Sequence, residues 1–138
     1  RFAISKNGKL VPISPEIGIG DTEDLVEALL LGKWNACFAY LFKRDALSGI
    51  EWDEELLRIQ EFDYILRIAI TGARYYFSKC EAGLIRHHSG PRISKTTVQL
   101  CNIASARILV RAEQLLRSSE MLTSRRSYAL ADRILSLG

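Results

Sequence analysis

The sequence predicts an α/β fold, with a small mixed sheet, flanking helices and a two-helix tail. Residues 36–42 form a continuous apolar run with aromatic side chains, which is typical of a strand covered on both faces in a layered α/β protein. Apolar residues recur at helical spacing over residues 59–70, and Gly72 follows as the expected helix end. Beyond Pro91 the pattern is purely helical.

Further strands are predicted on both sides of this central part. Residues 2–5 and 9–13 flank an Asn7-Gly8 pair, whose residues suit the turn of a tight hairpin. Residues 75–77 and 84–88 combine apolar and aromatic side chains in short runs and predict two more strands.

Helix boundaries are predicted from capping residues. Asp21 can cap a first helix that ends at Gly32. In the tail, residues 98–116 carry one long amphipathic stripe, and Thr123 or Ser124 can cap a second helix. These two helices are predicted to form a helical hairpin.

Length and composition favour one folded domain. A chain of 138 residues and 15.6 kDa is long enough for a substantial core, and 48% hydrophobic with 25% charged residues is typical of a globular protein. No apolar run approaches the ~20 residues that a membrane-spanning helix needs. The three cysteines form no Cys-x-x-Cys pair, which predicts neither a disulfide framework nor a zinc site and favours the reducing cytoplasm.

The positive charge is concentrated in the tail. Residues 1–91 contain 11 basic and 13 acidic residues, whereas residues 92–138 contain 8 basic and 3 acidic residues. One hypothesis is therefore a basic helical module for assembly or for docking at the inner face of a membrane. Nucleic acid is disfavoured as a partner because no aromatic residues interleave these cations. The cations considered are Arg107, Arg111, Arg117, Arg125, Arg126 and Arg133.

Four segments in order carry a family resemblance. They read Leu-Phe-Lys-Arg-Asp-Ala-Leu at residues 41–47, Gly-Ile-Glu-Trp-Asp-Glu-Glu-Leu at 49–56, Gln-Glu-Phe-Asp-Tyr-Ile-Leu-Arg-Ile-Ala at 60–69, and Ile-Arg-His-His-Ser-Gly at 85–90. Together they resemble the carboxyl-terminal part of the catalytic domain in inverting, GT-A type glycosyltransferases of family 2. The segment at residues 60–69 matches the family's Glu-Asp-x-Asp-Leu-x-Leu-Arg-x-Ala almost register for register.

Two departures from the family pattern matter. The family's Glu-Asp pair is Gln60-Glu61 here, and no Gln-x-x-Arg-Trp motif follows, which favours transfer of single sugars over processive synthesis. The Asp-x-Asp motif that holds metal and diphosphate in this family is also absent. Because the chain begins at Arg1 without a methionine or a targeting pattern, it is predicted to be an internal cut of a longer protein.

The resemblance implies a Rossmann-like nucleotide-diphospho-sugar transferase fold, with residues 1–94 as the acceptor-side part and residues 95–138 as a helical extension. It implies a longer protein that transfers a sugar from a nucleotide-sugar donor to a glycan or lipid-linked acceptor, with inversion. Mn²⁺ or Mg²⁺ is expected, mostly bound by residues upstream. The isolated chain is expected to be inactive and to self-associate, since cutting the domain exposes sheet edge and apolar surface.

The resemblance assigns roles within residues 60–69. Glu61 is the candidate general base, because inverting transfer needs a carboxylate that accepts the proton of the acceptor hydroxyl. The alternative for Glu61 is a favourable interaction with the helix dipole. Asp63 belongs to the substrate-binding segment, but it faces a different side of the helix from Glu61. Its spacing from Arg67 is that of a helical ion pair, which favours a structural role.

A second group of candidates surrounds the turn at residues 85–90. His88 aligns with the family histidine and is the candidate metal ligand, with a simple hydrogen-bonded histidine as the alternative. Arg86, Arg92 and Lys95 are candidates for binding the donor's phosphates. A last hypothesis is a non-catalytic relative that serves as an assembly domain, which Gln60 makes plausible.

Overall fold

A computed structural model describes residues 2–4, 10–12, 24–34, 37–76, 85–86 and 98–137 of the chain. About half of these described residues lie in four α-helices. They are α1 (Leu25–Leu30), α2 (Gln60–Ile70), α3 (Val98–Ser118) and α4 (Ser124–Leu135). Two short 3-10 helices, Cys37–Ala39 and Arg44–Leu47, lie between α1 and α2.

The four helices share one hydrophobic core. Helix α1 contacts α2 and α4, and α3 contacts the same two helices. The most deeply buried large side chains come from all of them except α4, which contributes Ala129 and Leu130. Complete burial of one large apolar side chain is worth ~1.5–3 kcal/mol, so this cluster dominates the stability of the described part. The large side chains at its centre are Leu29, Leu30, Phe62, Leu66, Ile108, Leu109 and Leu116.

The predicted Rossmann-like α/β fold is wrong for the part of the chain that the structure describes. Its core is helical, and every buried residue described lies in a helix or in the loop before α2. Among the described residues, strand geometry is limited to β1 (Phe2–Ile4), β2 (Leu10–Pro12) and β3 (Ile85–Arg86). These pair in the order β2-β1-β3, with β1 antiparallel to β2 and parallel to β3. Strands of two or three residues cannot form the helix-covered sheet of a layered fold.

The strand predicted at residues 36–42 is also wrong for residues 37–42, which the structure describes. Cys37–Ala39 is a 3-10 helix, and the residues that follow it have no regular structure. The side chains of this apolar run differ in their exposure to solvent. Leu41 is fully exposed, whereas Tyr40 and Phe42 are half-buried and their rings stack with centroids 5.9 Å apart. Tyr75 and Tyr76, predicted as strand, are likewise irregular.

The ends of the helices agree better with the predictions made from capping residues and glycines. Gly72 and Gly32 follow α2 and α1 with φ of +81° and +80°, the left-handed conformation that glycine tolerates best. Of the two predicted caps, Thr123 and Ser124, it is Thr123 that caps α4 by accepting a hydrogen bond from the Arg126 amide. Helix α1 is capped by Asp24, whereas the predicted cap Asp21 lies outside the described residues. The boundary predicted between residues 94 and 95 also lies there and stays a prediction.

None of the helices described above is both long enough and apolar enough to cross a membrane.

Candidate functional site

Helix α2 places its two acidic residues in different surroundings. Glu61 is half-buried and lines a depression of about 80 Å³, whereas Asp63 is only 1% exposed and points into the interior. This difference follows from helix geometry, since residues two positions apart are about 200° apart around the axis. Within the part of the chain that the structure describes, no hydrogen bond or ion pair engages the Glu61 carboxylate.

Aromatic side chains form the walls of the depression beside Glu61. The centroids of the Trp52 and Tyr64 rings lie 5.0 Å apart, and the Phe42 ring is nearly perpendicular to Tyr64 with 6.3 Å between their centroids. Trp52 comes from the loop before α2 and remains 49% exposed. We call this feature the aromatic depression, which is lined by Cys37, Phe42, Trp52, Glu61, Tyr64 and Ile65.

Asp63 is held by two guanidinium groups. Arg67, one turn further along α2, donates from Nε at 2.8 Å and approaches through Nη2 at 2.7 Å. Arg111 of α3 donates from Nη1 at 3.2 Å. The pair with Arg67 was predicted from its spacing, and the structure adds the second partner. Both oxygens of Asp63 thus accept hydrogen bonds from arginine, and Asp63 does not line the aromatic depression.

Arg111 also connects this buried carboxylate to the loop before α2. Its Nη2 lies 2.5 Å from Asp53 Oδ2, and Asp53 is 13% exposed. The Arg111 hydrogen bond lowers the pKa of Asp53 against the opposing effect of burial, helped by the Glu55 amide and the charge of Arg107. A network of ion pairs thus joins Asp53, Asp63, Arg67 and Arg111.

The ion pair between Asp53 and Arg111 was not predicted from the sequence. Arg111 was considered only as a surface cation, and Asp53 only as part of a motif. A signal was present, because Arg107 and Arg111 are one helical step apart and the segment at residues 51–55 is rich in carboxylates. Arg107 indeed contacts Glu55 at 2.6 Å.

The other predicted site residues are not brought to the depression by any described contact. Arg86 lies in β3, of which only the backbone is described, and His88, Arg92 and Lys95 lie outside the described residues. Among the residues that are described, no three His, Cys, Asp or Glu side chains converge as a metal site. The metal and phosphate assignments therefore stay predictions.

Most of the tail arginines have carboxylate partners. Besides Arg107 and Arg111, three others form ion pairs at 2.7–2.9 Å, namely Arg117 with Glu113, Arg125 with Glu27, and Arg126 with Asp24. Two of these pairs join α4 to α1 and its cap. Three of the cations that suggested a basic docking surface thus join helices, since Arg111 of α3 contacts Asp63 of α2, and Arg125 and Arg126 of α4 contact α1 and its cap.

A second, larger depression of about 280 Å³ lies at the turn between α3 and α4. It is lined by Leu116, Arg117, Glu120 and Leu122. Its charged residues are Arg117, which is paired with Glu113, and Glu120.

Comparisons with models of protein families, with curated proteins and with solved structures found no match to this chain. The resemblance to family 2 glycosyltransferases therefore rests on the motif residues alone.

The lowered pKa of Asp53 predicts a loss of stability in acid. A carboxyl whose pKa is lower in the folded state stabilises that state at pH values above its unfolded pKa of about 3.8, and this contribution is lost as the pH falls through the folded value. The pKa of Asp24 is also lowered in the folded state, so this carboxyl likewise predicts a loss of stability in acid. Burial alone would raise its pKa, but hydrogen bonds from Arg126 and the Glu27 amide lower it overall.

We therefore expect the free energy of unfolding, measured by urea denaturation, to decrease below about pH 4. In Asp53→Asn the decrease should be shallower, because one of the titrating groups is gone. An identical pH dependence in the variant would contradict the role of Asp53.

Proposed function

We propose that this chain supplies the general base and part of the acceptor pocket of an inverting glycosyltransferase, within a longer protein that binds a nucleotide-sugar donor. The observation that carries the proposal is the separation of the two α2 carboxylates. Glu61 is one of the residues that line the aromatic depression and has no hydrogen bond or ion pair among the described residues, while Asp63 is engaged by Arg67 and Arg111. One carboxylate is thus available for chemistry and the other serves the scaffold.

The reaction requires a proton acceptor at the acceptor hydroxyl. The hydroxyl oxygen forms a bond to the anomeric carbon while the bond from that carbon to the donor's phosphate oxygen breaks. The bonding electrons leave with the nucleotide diphosphate, and the hydroxyl proton passes to the Glu61 carboxylate. A divalent metal, when bound, would neutralise the leaving diphosphate. No described group of residues forms a complete site for it.

The walls of the depression suit a sugar as the acceptor. Half-exposed aromatic rings such as Trp52 provide flat apolar surface against which the C–H face of a sugar ring can pack. A carboxylate beside such a surface accepts hydrogen bonds from sugar hydroxyls. This combination favours a glycan acceptor, either free or linked to a lipid.

A donor-consumption assay on the longer protein tests the proposal. We expect release of nucleoside diphosphate from one member of a panel of nucleotide sugars, in a reaction that needs Mn²⁺ or Mg²⁺ and is accelerated by a glycan acceptor. Binding of a donor without consumption would instead indicate a non-catalytic relative. Absence of both binding and consumption across the panel would refute the assignment to this class of enzyme.

A further inference from the structure

We propose that Arg111 of α3 is a positioning residue that holds Trp52 over the aromatic depression. The helical tail would then form part of the site, although it lies outside the segments that carry the family resemblance. The consequence for turnover rests on the proposed function, whereas the placement of Trp52 can be tested without it.

The geometry of one guanidinium group supports this role. Arg111 Nη2 lies 2.5 Å from Asp53, the residue next to Trp52, and Arg111 Nη1 lies 3.2 Å from Asp63, the residue next to Tyr64. The rings of Trp52 and Tyr64 are themselves 5.0 Å apart. A single side chain of α3 is therefore bonded to both segments that carry the aromatic contact.

Neighbouring contacts fix the same loop. Arg67 Nη2 donates to the Glu51 carbonyl oxygen at 2.8 Å, and the Arg67 guanidinium lies 5.8 Å from the centre of the Tyr64 ring. The Asp53 side chain accepts a hydrogen bond from the Glu55 amide at 3.0 Å. Residues 51–55 have neither helix nor strand structure, so these polar contacts help to order the loop.

Burial and chemistry explain why arginine is suited to this position. Asp63 is 1% exposed and Asp53 13%, and partly buried charges are screened by water less than exposed ones. The planar guanidinium carries several donors in a fixed arrangement, so it can bind two carboxylates at once. A lysine would keep the charge but offers a single nitrogen, and we expect it to lose one of the two contacts.

The test measures the exposure of Trp52 by acrylamide quenching of its fluorescence. Trp34→Phe removes the other tryptophan from the 138-residue chain, at a position where a phenylalanine can keep the ring contact with Phe62. In this background Trp52 is 49% exposed, so release of the loop should raise the quenching constant by up to about twofold. We expect that rise in Arg111→Lys and in Asp53→Asn, the latter of which leaves the Arg111–Asp63 pair in place.

Arg126→Gln is the matched control. It breaks another partly buried ion pair between the tail and the rest of the chain, at Asp24, away from Trp52. It should lower stability without changing the quenching of Trp52. Unchanged quenching in Asp53→Asn and Arg111→Lys would overturn the proposal, and so would an equal rise in Arg126→Gln.

Activity measurements separate this proposal from the proposed function. In the longer protein, Asp53→Asn should raise KM for the acceptor more than it lowers kcat, because it displaces an acceptor-binding surface and leaves Glu61 in place. If quenching changes as expected but the wild-type protein consumes no donor, the positioning role stands and the proposed function fails. If quenching is unchanged while Glu61→Gln abolishes transfer, the positioning role alone fails.

Discussion

Glu61→Gln is expected to lower sugar transfer by the longer protein by about 10²–10⁴-fold, the usual contribution of a general base. The amide has almost the volume of the carboxylate but cannot accept the acceptor's proton at neutral pH. Donor binding should be nearly unchanged, because Glu61 lies on the acceptor side of the proposed reaction. The expected signature is therefore a lower kcat with little change in donor KM.

Glu54→Gln provides the matched control for this measurement. Glu54 is an exposed carboxylate in the loop before α2 and does not line the aromatic depression. The same chemical change there should leave transfer close to the wild-type rate. If Glu61→Gln also retains near wild-type transfer, the catalytic interpretation of this helix is wrong.

The helices were the part of the fold that the sequence could predict. Apolar residues at 3.6-residue spacing predicted α2, α3 and α4, because a helix that packs on a core must bury one face along its whole length. Gly72 and Thr123 were identified as an end and a cap because positive φ and a free amide impose strong local requirements. Such signals depend only on neighbours in the chain.

The fold class could not be predicted in the same way. A short apolar run such as residues 36–42 is compatible with a buried strand or with irregular backbone that packs a few side chains, and periodicity cannot distinguish them. The outcome depended on tertiary partners, since Phe42 packs on Tyr64 of α2 while Leu41 faces solvent. The expected sheet also rested on the resemblance, and the described core is formed by helices.

In the candidate site, too, local contacts could be predicted from the sequence and contacts between distant residues could not. The Asp63–Arg67 pair was predictable because four residues along a helix bring two side chains together. The contacts of Arg111 with Asp63 and Asp53 join residues 48 and 58 positions apart, and no local pattern specifies them. The carboxylates that pair with Arg125 and Arg126 also belong to a distant segment, so no local pattern predicted these ion pairs. The hypothesis of a basic docking surface stays a prediction.

Because Asp63 is buried, its substitution is expected to give the second large effect, a loss of stability. Asp63→Asn is expected to lower the free energy of unfolding by about 3 kcal/mol, near the lower end of what breaking a buried ion pair costs. The substitution leaves Arg67 and Arg111 without their shared anion, but both are partly exposed, at 18% and 30%, and water can compensate some of the loss. Urea denaturation followed by circular dichroism measures this change.

Asp45→Asn is the control for that experiment, because Asp45 is 80% exposed and its ion pair with Lys43 should contribute less than about 1 kcal/mol. Below its unfolding transition, the longer protein carrying Asp63→Asn should keep most of its transfer activity, since the proposed base Glu61 is still present. Glu61→Gln should show the reverse behaviour, with stability retained and activity lost. If Asp63→Asn instead abolished transfer at unchanged stability, the proton acceptor would be Asp63, and the buried ion pairs would have to open during the reaction.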